Sequence, residues 1–282
     1  MEFLIKTDFF NPELTLTGGQ AFRWRRIESR CYFGIAGRRT LTIRRETNGV
    51  RLLGISDKEL PFWLEYLDIS TDYESIIRRL SEDTTLRKAC RFAHGLRLLR
   101  QEPFETLISF IISQNNNIPR ITGIIERLCM TFGAVIEKDR FAFPEAEVLA
   151  ELDEADLSAI GAGYRARYIT DAARKTLSGE INLNALYKMQ TEEARRELMK
   201  IKGVGGKVAD CILLFAYRKS GAFPKDVHIK RVLENYYPAG LPECTAGYEG
   251  IAQQYLFEYI RNHAKNKNTE ENLCSVQNAD AG

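Results

Sequence analysis

The feature that most constrains the fold is a glycine-rich break between two short runs of helical periodicity. Apolar residues recur at helical spacing on both sides of this break. They are Ala194, Leu198 and Ile201 before it, and Val208, Cys211, Ile212 and Phe215 after it. The break is Gly203-Val204-Gly205-Gly206, and glycine tolerates the positive φ angles of a tight turn. The pattern predicts a helical hairpin whose second helix begins with free N–H groups, so Gly203 and Gly205 are candidate phosphate-binding positions.

Two charged residues flank the predicted second helix. Lys207 lies in its first turn, where the helix dipole disfavours a charged ammonium and therefore favours a neutral, nucleophilic amine. Asp226 stands just before the apolar residues Val227 and Val232, where an N-cap belongs, and N–H groups there keep a carboxylate ionised. An amine beside a fixed anion suits attack on a carbon that becomes cationic, such as C1′ of a sugar losing its base. The same residues also fit a phosphate-binding lysine and a simple helix cap.

Beyond the hairpin, the N-terminal residues alternate as strands do. Residues 1–55 predict an antiparallel sheet in which Leu14-Thr15-Leu16-Thr17 is one strand and Asn48-Gly49 is a hairpin turn. Helical patterns follow at 57–92, and from Pro103 onward the chain is helical, including one helix at 118–133 closed by Gly133 and another that runs from Lys207 to Arg218. The predicted fold class is therefore α+β, an antiparallel β-sheet domain with flanking helices followed by an all-helical domain. The predicted divisions are a sheet domain at 1–95, a helical domain at 96–264 and a polar, disordered tail at 265–282.

The hairpin sequence, together with Asp226-Val227-His228, resembles the signature of the helix-hairpin-helix DNA glycosylase superfamily. In bifunctional members of this superfamily the matching lysine is the nucleophile and the matching aspartate is catalytic. The resemblance therefore implies these roles for Lys207 and Asp226, and it implies a phosphate-binding role for His228. Without the resemblance, a single histidine in a helix is more simply a packed or exposed side chain.

A second motif extends the resemblance to one branch of that superfamily. Gly19-Gln20-Ala21-Phe22-Arg23-Trp24 resembles the Gly-Gln-x-Phe-Arg-Trp segment of the 8-oxoguanine DNA glycosylases. There the glycine carbonyl, that of Gly19 here, accepts a hydrogen bond from N7–H of the oxidised base. Undamaged guanine has an unprotonated N7, so a single acceptor discriminates strongly between the two bases. Taken alone, the glycines would simply mark a turn between strands.

Further motifs imply contacts to the opposite strand. Asn115-Asn116-Asn117-Ile118-Pro119-Arg120 resembles the family's Asn-Asn-Asn-Ile-x-Arg motif, which implies that Asn115 and Arg120 bind the cytosine left without a partner. Gly163-Tyr164-Arg165 likewise implies that Tyr164 wedges into the duplex and that Arg165 is a second arginine on that cytosine. As local structure, the asparagines would cap a helix and the glycine would open the next one.

Three residues are candidates for a pocket that holds the flipped base. Gln253 and Phe257 are four residues apart and share one face of a predicted helix at 247–264. By the resemblance, Phe257 and Cys211 contact the two faces of the base, and Gln253 bonds its pairing edge. A phenylalanine at this spacing is also typical of a protein core.

Charge and cysteine content limit the partners and cofactors. The net charge is only +2, but seven Lys or Arg against two Asp between positions 202 and 231 form a basic face. The six cysteines have no zinc, iron–sulfur or disulfide spacing, and only Cys244 and Cys274 follow Asp226. The sequence thus predicts no cofactor and no iron–sulfur cluster, and it leaves open a structural cation at the hairpin. It shows no signal peptide and no membrane span, so the predicted location is cytoplasmic, and the resemblance to bacterial 8-oxoguanine glycosylases implies activity at the nucleoid.

The resemblance extends from about Gly18 to Arg261, with its motifs in the family's order. It implies a bifunctional glycosylase and AP lyase, acting as a monomer on double-stranded DNA with oxidised guanine opposite cytosine. A Schiff base on Lys207 would precede strand cleavage by β-elimination. Two alternatives remain at this point. One is a glycosylase for another damaged or mispaired base, and the other is a DNA-binding module without catalysis.

Overall fold

The structure is a computed structural model that describes residues 1–262. Its N-terminal part is a five-stranded antiparallel sheet. The strands are β1 (Glu2–Lys6), β2 (Trp24–Glu28), β3 (Cys31–Ala36), β4 (Arg39–Glu46) and β5 (Gly49–Leu53). Their order in the sheet is β1-β5-β4-β3-β2. The predicted turn at Asn48-Gly49 is confirmed, since Gly49 opens β5 with a φ of +146°. The antiparallel sheet predicted for this part of the chain is therefore confirmed.

The strand predicted at Leu14–Thr17 is wrong, because these residues form part of helix α1 (Pro12–Thr17). Leu-Thr-Leu-Thr is too short to separate a period of two from a helical period. The preceding residues decide the structure: the Asn11 side chain accepts a hydrogen bond from the N–H of Glu13 at 3.1 Å, and Pro12 is preorganised for the first helical position.

The rest of the described chain is helical apart from one small β-hairpin, β6 (Val135–Glu137) and β7 (Arg140–Phe141). The helices are α2 (Leu60–Tyr66), α3 (Tyr73–Leu80), α4 (Thr84–Phe92), α5 (Pro103–Ile112), α6 (Ile118–Phe132), α7 (Ala146–Glu151), α8 (Glu154–Ala159), α9 (Ala166–Leu177), α10 (Thr191–Leu198), α11 (Gly206–Phe215), α12 (Val227–Tyr236) and α13 (residues 249–262). The α+β class is confirmed. Among residues 1–262, no helix combines the length and hydropathy needed to cross a bilayer. The predicted tail at 265–282 lies outside the described residues.

The buried side chains form two cores. One lies under the sheet and includes Ile43, Leu52 and Trp63. The other surrounds the central helix α5, and it also takes in α3 and α4 through residues such as Leu80 and Leu86. Packing thus groups α3 and α4 with the later helices, although they precede the predicted boundary at 95–96. That boundary stays a prediction.

An ionic contact fixes the carboxyl end of α11 against the N-terminal part. Asp68 is fully buried, forms an ion pair with Arg218 at 2.7 Å and accepts a hydrogen bond from Arg100 at 3.1 Å. Such a buried carboxylate requires these partners, since an unpaired buried charge is strongly destabilising. Arg218 has a left-handed φ of +54°, so α11 ends at Phe215 instead of continuing to Arg218 as the sequence predicts. This contact holds in place the helix that carries Lys207 at its other end.

Candidate active site

The predicted helical hairpin is present between α10 and α11. Gly203 has a φ of +79°, and a Cβ placed on it would lie 2.4 Å from Cδ2 of Tyr168. Glycine is required there both for the backbone angle and for the close approach of the tyrosine ring. Gly205 is the N-cap of α11 and brings no side chain that could cap the helix. The amino end of α11 therefore remains suited to an anionic oxygen, as the sequence predicts.

The Gly203→Ala variant is expected to lose about 2–3 kcal/mol of unfolding free energy, roughly 5–10 °C in Tm, from backbone strain and the clash with Tyr168. Gly205→Ala is the matched control, because its φ is −92° and an added Cβ meets nothing within 4 Å. That variant should lose less than about 1 kcal/mol. Thermal unfolding of both variants checks the prediction, and equal losses would contradict it.

Lys207, Cys211 and Asp226 lie together at the amino end of α11. The amine of Lys207 lies close enough to the Cys211 thiol, one turn later, to act on its pKa, and Nζ lies 5.8 Å from the ring centroid of Phe110 on α5. The Asp226 carboxylate is close enough to act electrostatically on the same thiol. Burial raises the pKa of Cys211 to about 11, so this side chain is a neutral thiol at physiological pH. The cluster thus combines an amine, a neutral sulfur and a carboxylate.

The raised pKa of Cys211 predicts slow alkylation. Because only the thiolate reacts, iodoacetamide at about pH 7 should modify Cys211 far more slowly in the folded protein than in denaturant. The rate should rise as the pH approaches the pKa of about 11. Mass spectrometry of the peptide that contains Cys211 checks this, with the half-buried Cys31 as an internal reference. Rapid modification of the folded protein at neutral pH would contradict the assigned environment.

Asp226 is the N-cap of α12, as predicted. Its Oδ1 accepts from the N–H of Ile229 at 2.8 Å, and among the described residues no hydrogen bond reaches Oδ2. One oxygen of the carboxylate therefore fixes its position, while the other remains available to a ligand. The loop after α11 returns the chain to the amino end of that helix, where the Asp226 carboxylate acts electrostatically on the same Cys211 thiol as Lys207.

A second group of predicted residues surrounds Phe257 on α13. The His228 ring lies edge-on to Phe257 with the centroids 6.4 Å apart, and the Arg261 guanidinium carbon lies 5.2 Å from the Phe257 centroid. Arg261 also donates to the carbonyl of Gly18 at 3.0 Å. Among the described residues, no hydrogen bond ends on the adjacent Gly19 carbonyl, so this oxygen is a free acceptor.

Gln253 does not present a free amide. It is 3% exposed, its Nε2 donates to the Pro224 carbonyl at 3.1 Å, and its Oε1 accepts from Gln254 at 2.6 Å. In this structure Gln253 fastens the segment just before Asp226 to α13. To bind a base, Gln253 would have to give up one of these hydrogen bonds. Its predicted bond to the pairing edge of the flipped base stays a prediction.

The residues predicted to contact the opposite strand gather at one edge of the molecule. Tyr164 is 46% exposed, and Asn115 donates to its hydroxyl at 3.4 Å. Arg120 is exposed in the first turn of α6. Arg165 differs, since it is 4% exposed and donates to the carbonyls of Gln114 and Asn115. It shapes the turn that carries Asn115, and its predicted contact to cytosine stays a prediction.

Two residues at the site were not identified from the sequence. Phe110 borders Lys207, and it also stacks on Phe215 with the centroids 5.3 Å apart. In the sequence it is indistinguishable from the other apolar residues of α5. Arg261 contacts both Phe257 and Gly18, and its position four residues after Phe257 could have indicated a shared helix face. Within residues 1–262, no group of three or more His, Cys, Asp or Glu side chains is arranged to hold a metal ion.

This architecture is that of a helix-hairpin-helix protein with an amine and a carboxylate at the hairpin. The family model of the N-terminal domain of 8-oxoguanine DNA glycosylase matches residues 2–107. That of the HhH-GPD superfamily base excision DNA repair proteins matches residues 108–242. The chain belongs to this superfamily, in the branch defined by that N-terminal domain, and the family resemblance is confirmed.

Known relatives agree with this assignment. The probable N-glycosylase/DNA lyase of Methanothermobacter thermautotrophicus is 32% identical over 91% of this chain and 94% of its own length. The N-glycosylase/DNA lyase of Saccharomyces cerevisiae is 42% identical, but the match spans 51% of this chain and only 42% of the yeast protein.

Solved structures show the same fold. MBOgg1 in complex with a low-affinity DNA ligand has a TM-score of 0.88 at 38% identity, covering 93% of this chain and 96% of that one. The 8-oxoguanine glycosylase/lyase of Clostridium acetobutylicum, bound to DNA with cytosine opposite 8-oxoguanine, has a TM-score of 0.85 at 35% identity. That match covers 94% of this chain and 98% of the other.

Proposed function

We propose that this protein is a bifunctional DNA glycosylase and AP lyase that removes 8-oxoguanine paired with cytosine from double-stranded DNA. The observation that carries the proposal is the position of the Lys207 amine, next to the neutral Cys211 thiol and the Asp226 carboxylate at the amino end of α11. Relatives named N-glycosylase/DNA lyase and 8-oxoguanine glycosylase/lyase support the reaction class and the substrate.

The reaction begins at C1′ of the damaged nucleotide. The amine of Lys207 attacks C1′ with its lone pair while the bond to the base breaks, and the base leaves with the bonding electrons and takes up the proton that the attacking nitrogen loses. Positive charge develops on the sugar, and the fixed Asp226 carboxylate stabilises it without reorganising. The ring oxygen then leaves C1′ to give a protonated Schiff base. Loss of a C2′ proton expels the 3′ phosphate, and this cuts the strand.

The protein recognises two parts of the DNA, the flipped base and the cytosine that remains in the opposite strand. The free Gly19 carbonyl accepts the N7–H of 8-oxoguanine, Phe257 and Cys211 contact its faces, and Gln253 bonds its pairing edge. A base that flips out leaves a gap in the duplex, and the unstacking costs roughly a few kcal/mol. A rigid aromatic side chain can fill this gap and offset part of that cost.

Tyr164 fills that gap from the exposed edge of the molecule. Asn115, Arg120 and Arg165 bind the cytosine that remains. Gly203, Gly205 and His228 bind phosphates beside the hairpin, where the amino end of α11 favours an anion.

The proposed chemistry needs no metal or cluster, because the amine and the carboxylate supply the nucleophile and the electrostatic stabilisation. Excision should therefore survive treatment with a chelator, and the hairpin carbonyls are candidates for a purely structural cation. We further propose that the protein acts as a monomer in the bacterial cytoplasm, at the nucleoid where its substrate lies.

Borohydride trapping tests the function. A labelled duplex with one 8-oxoguanine opposite cytosine is mixed with the protein, and borohydride reduces any Schiff base to a stable covalent adduct. We expect an adduct with this duplex and much less with undamaged DNA or with 8-oxoguanine opposite adenine. An adduct only with an alkylated purine would assign the protein to another glycosylase branch. If the protein bound the duplex but formed no adduct and released no base, it would be a DNA-binding module without catalysis.

A further inference from the structure

We propose that Arg261 is a specificity-positioning residue, which clamps the Gly18-Gly19 turn to α13 and thereby directs the Gly19 carbonyl at the lesion. The inference rests on the proposed function, since it concerns how that carbonyl distinguishes 8-oxoguanine from guanine. It adds a side chain from the last helix to the recognition of the damaged base.

The clamp is an arginine held by a buried carboxylate. Glu258 is 2% exposed, and Nη2 of Arg261 donates to its two oxygens at 2.6 and 3.0 Å. Nη1 of Arg261 donates to the Gly18 carbonyl at 3.0 Å. Because a guanidinium presents its donors in a rigid plane, the pair with Glu258 also fixes the direction of the bond to Gly18.

The turn packs directly on this pair. A Cβ on Gly18 would lie 3.0 Å from Oε1 of Glu258, and a Cβ on Gly19 would lie 4.0 Å from Nη1 of Arg261. Gly19 has a φ of +101°, an angle that side chains other than glycine rarely adopt. Close contact and an unusual backbone angle together define one orientation of the turn.

The fixed carbonyl of Gly18 positions the next residue through the planar peptide bond. On the other side, Gln20 is buried and bonds to the carbonyls of Thr15 and Arg97 at 2.9 and 2.7 Å. Gly19 is therefore held between two anchored residues, while its own carbonyl remains free. This arrangement suits an acceptor whose direction has to be accurate.

The same guanidinium contacts the other part of the base pocket. Its carbon lies 5.2 Å from the centroid of Phe257, the residue proposed to stack on the base. Arg261 thus sets the spacing between the stacking ring and the acceptor. When a group that recognises the base is misplaced, its interaction with the correct base is weaker. Both the rate and the selectivity of the enzyme then fall.

The test compares two reactions of the same protein. Excision of 8-oxoguanine needs the Gly19 carbonyl, whereas cleavage at a preformed abasic site requires only Lys207 and the sugar. In single-turnover assays, Arg261→Met should slow excision about ten- to a hundredfold, the equivalent of a hydrogen bond to a charged group. Cleavage of the abasic duplex should fall by less than about twofold, since no base is read there. Arg261→Lys keeps the charge but not the planar set of guanidinium donors, so its excision rate should lie between those of Arg261→Met and the wild type.

Arg79→Met is the matched control, because Arg79 also lies over an aromatic ring, 5.4 Å from the Tyr248 centroid, but does not contact the turn. It should leave both reactions unchanged.

Two results with Arg261→Met would overturn the inference. Equal losses of excision and abasic cleavage would show a merely structural role, and excision at the wild-type rate would show that the carbonyl needs no clamp. If Arg261→Met does not fold because Glu258 has lost its buried ion pair, Arg261→Lys decides by the same ratio. A wild-type protein that cleaves abasic DNA but spares 8-oxoguanine would instead overturn the proposed function.

Discussion

The Lys207→Gln variant is expected to lose base excision by at least about 10³-fold, on the order of 4 kcal/mol in the activation barrier. An amide nitrogen has no basic lone pair, so no bond to C1′ and no Schiff base can form. Glutamine is nearly as favourable in a helix as lysine, so α11 should persist. Single-turnover excision and borohydride trapping on the 8-oxoguanine duplex measure the loss.

Lys88→Gln is the control for this substitution, since Lys88 is an exposed lysine within α4. It should retain wild-type excision and trapping. If Lys207→Gln still released the base at the wild-type rate without forming an adduct, water would be the nucleophile. The protein would then be a monofunctional glycosylase.

The Asp226→Asn variant is expected to lose excision by about 10²–10³-fold, because the developing positive charge on the sugar loses its fixed counter-charge. Asparagine is as good an N-cap as aspartate, so its Oδ1 can still accept from the N–H of Ile229. Fold and DNA affinity should therefore be retained. Excision rates, thermal unfolding and fluorescence anisotropy with labelled duplex separate these effects.

Asp72→Asn is the matched control, since Asp72 caps α3 in the same way through the N–H of Ser75 at 3.1 Å. It should leave excision unchanged. Wild-type excision by Asp226→Asn would mean that this carboxylate only caps α12. A loss that followed a drop in Tm or in DNA affinity would likewise remove the electrostatic role.

Local signals predicted the elements that carry the site. The glycines at 203–206 ended one helix and began the next, and Asp226 capped α12 where its position before an apolar run predicted. The helix predicted at 118–133 is α6, and Gly133 closes it. These signals are reliable because a cap or a tight turn depends on residues only a few positions apart.

Prediction failed where local patterns were ambiguous or where distant residues competed. The segment Leu14–Thr17 fits either period over four residues, and the cap from Asn11 made it a helix. The predicted extension of α11 to Arg218 stopped at Phe215, and Arg218 pairs with the distant Asp68. Neither competitor is visible in the hydrophobic pattern.

Neighbouring residues were enough to predict the helical hairpin, the position of Lys207 in its second helix and the cap formed by Asp226. Each of these follows from backbone geometry and hydrogen bonds within one or two turns. Long-range packing, in contrast, buries Arg165 against the Asn115 turn, brings Gln253 to the Pro224 carbonyl and brings Arg261 to Gly18. The physical reason is that a long polar side chain takes the best partner that packing brings within reach, and these partners lie up to 243 positions away in the chain.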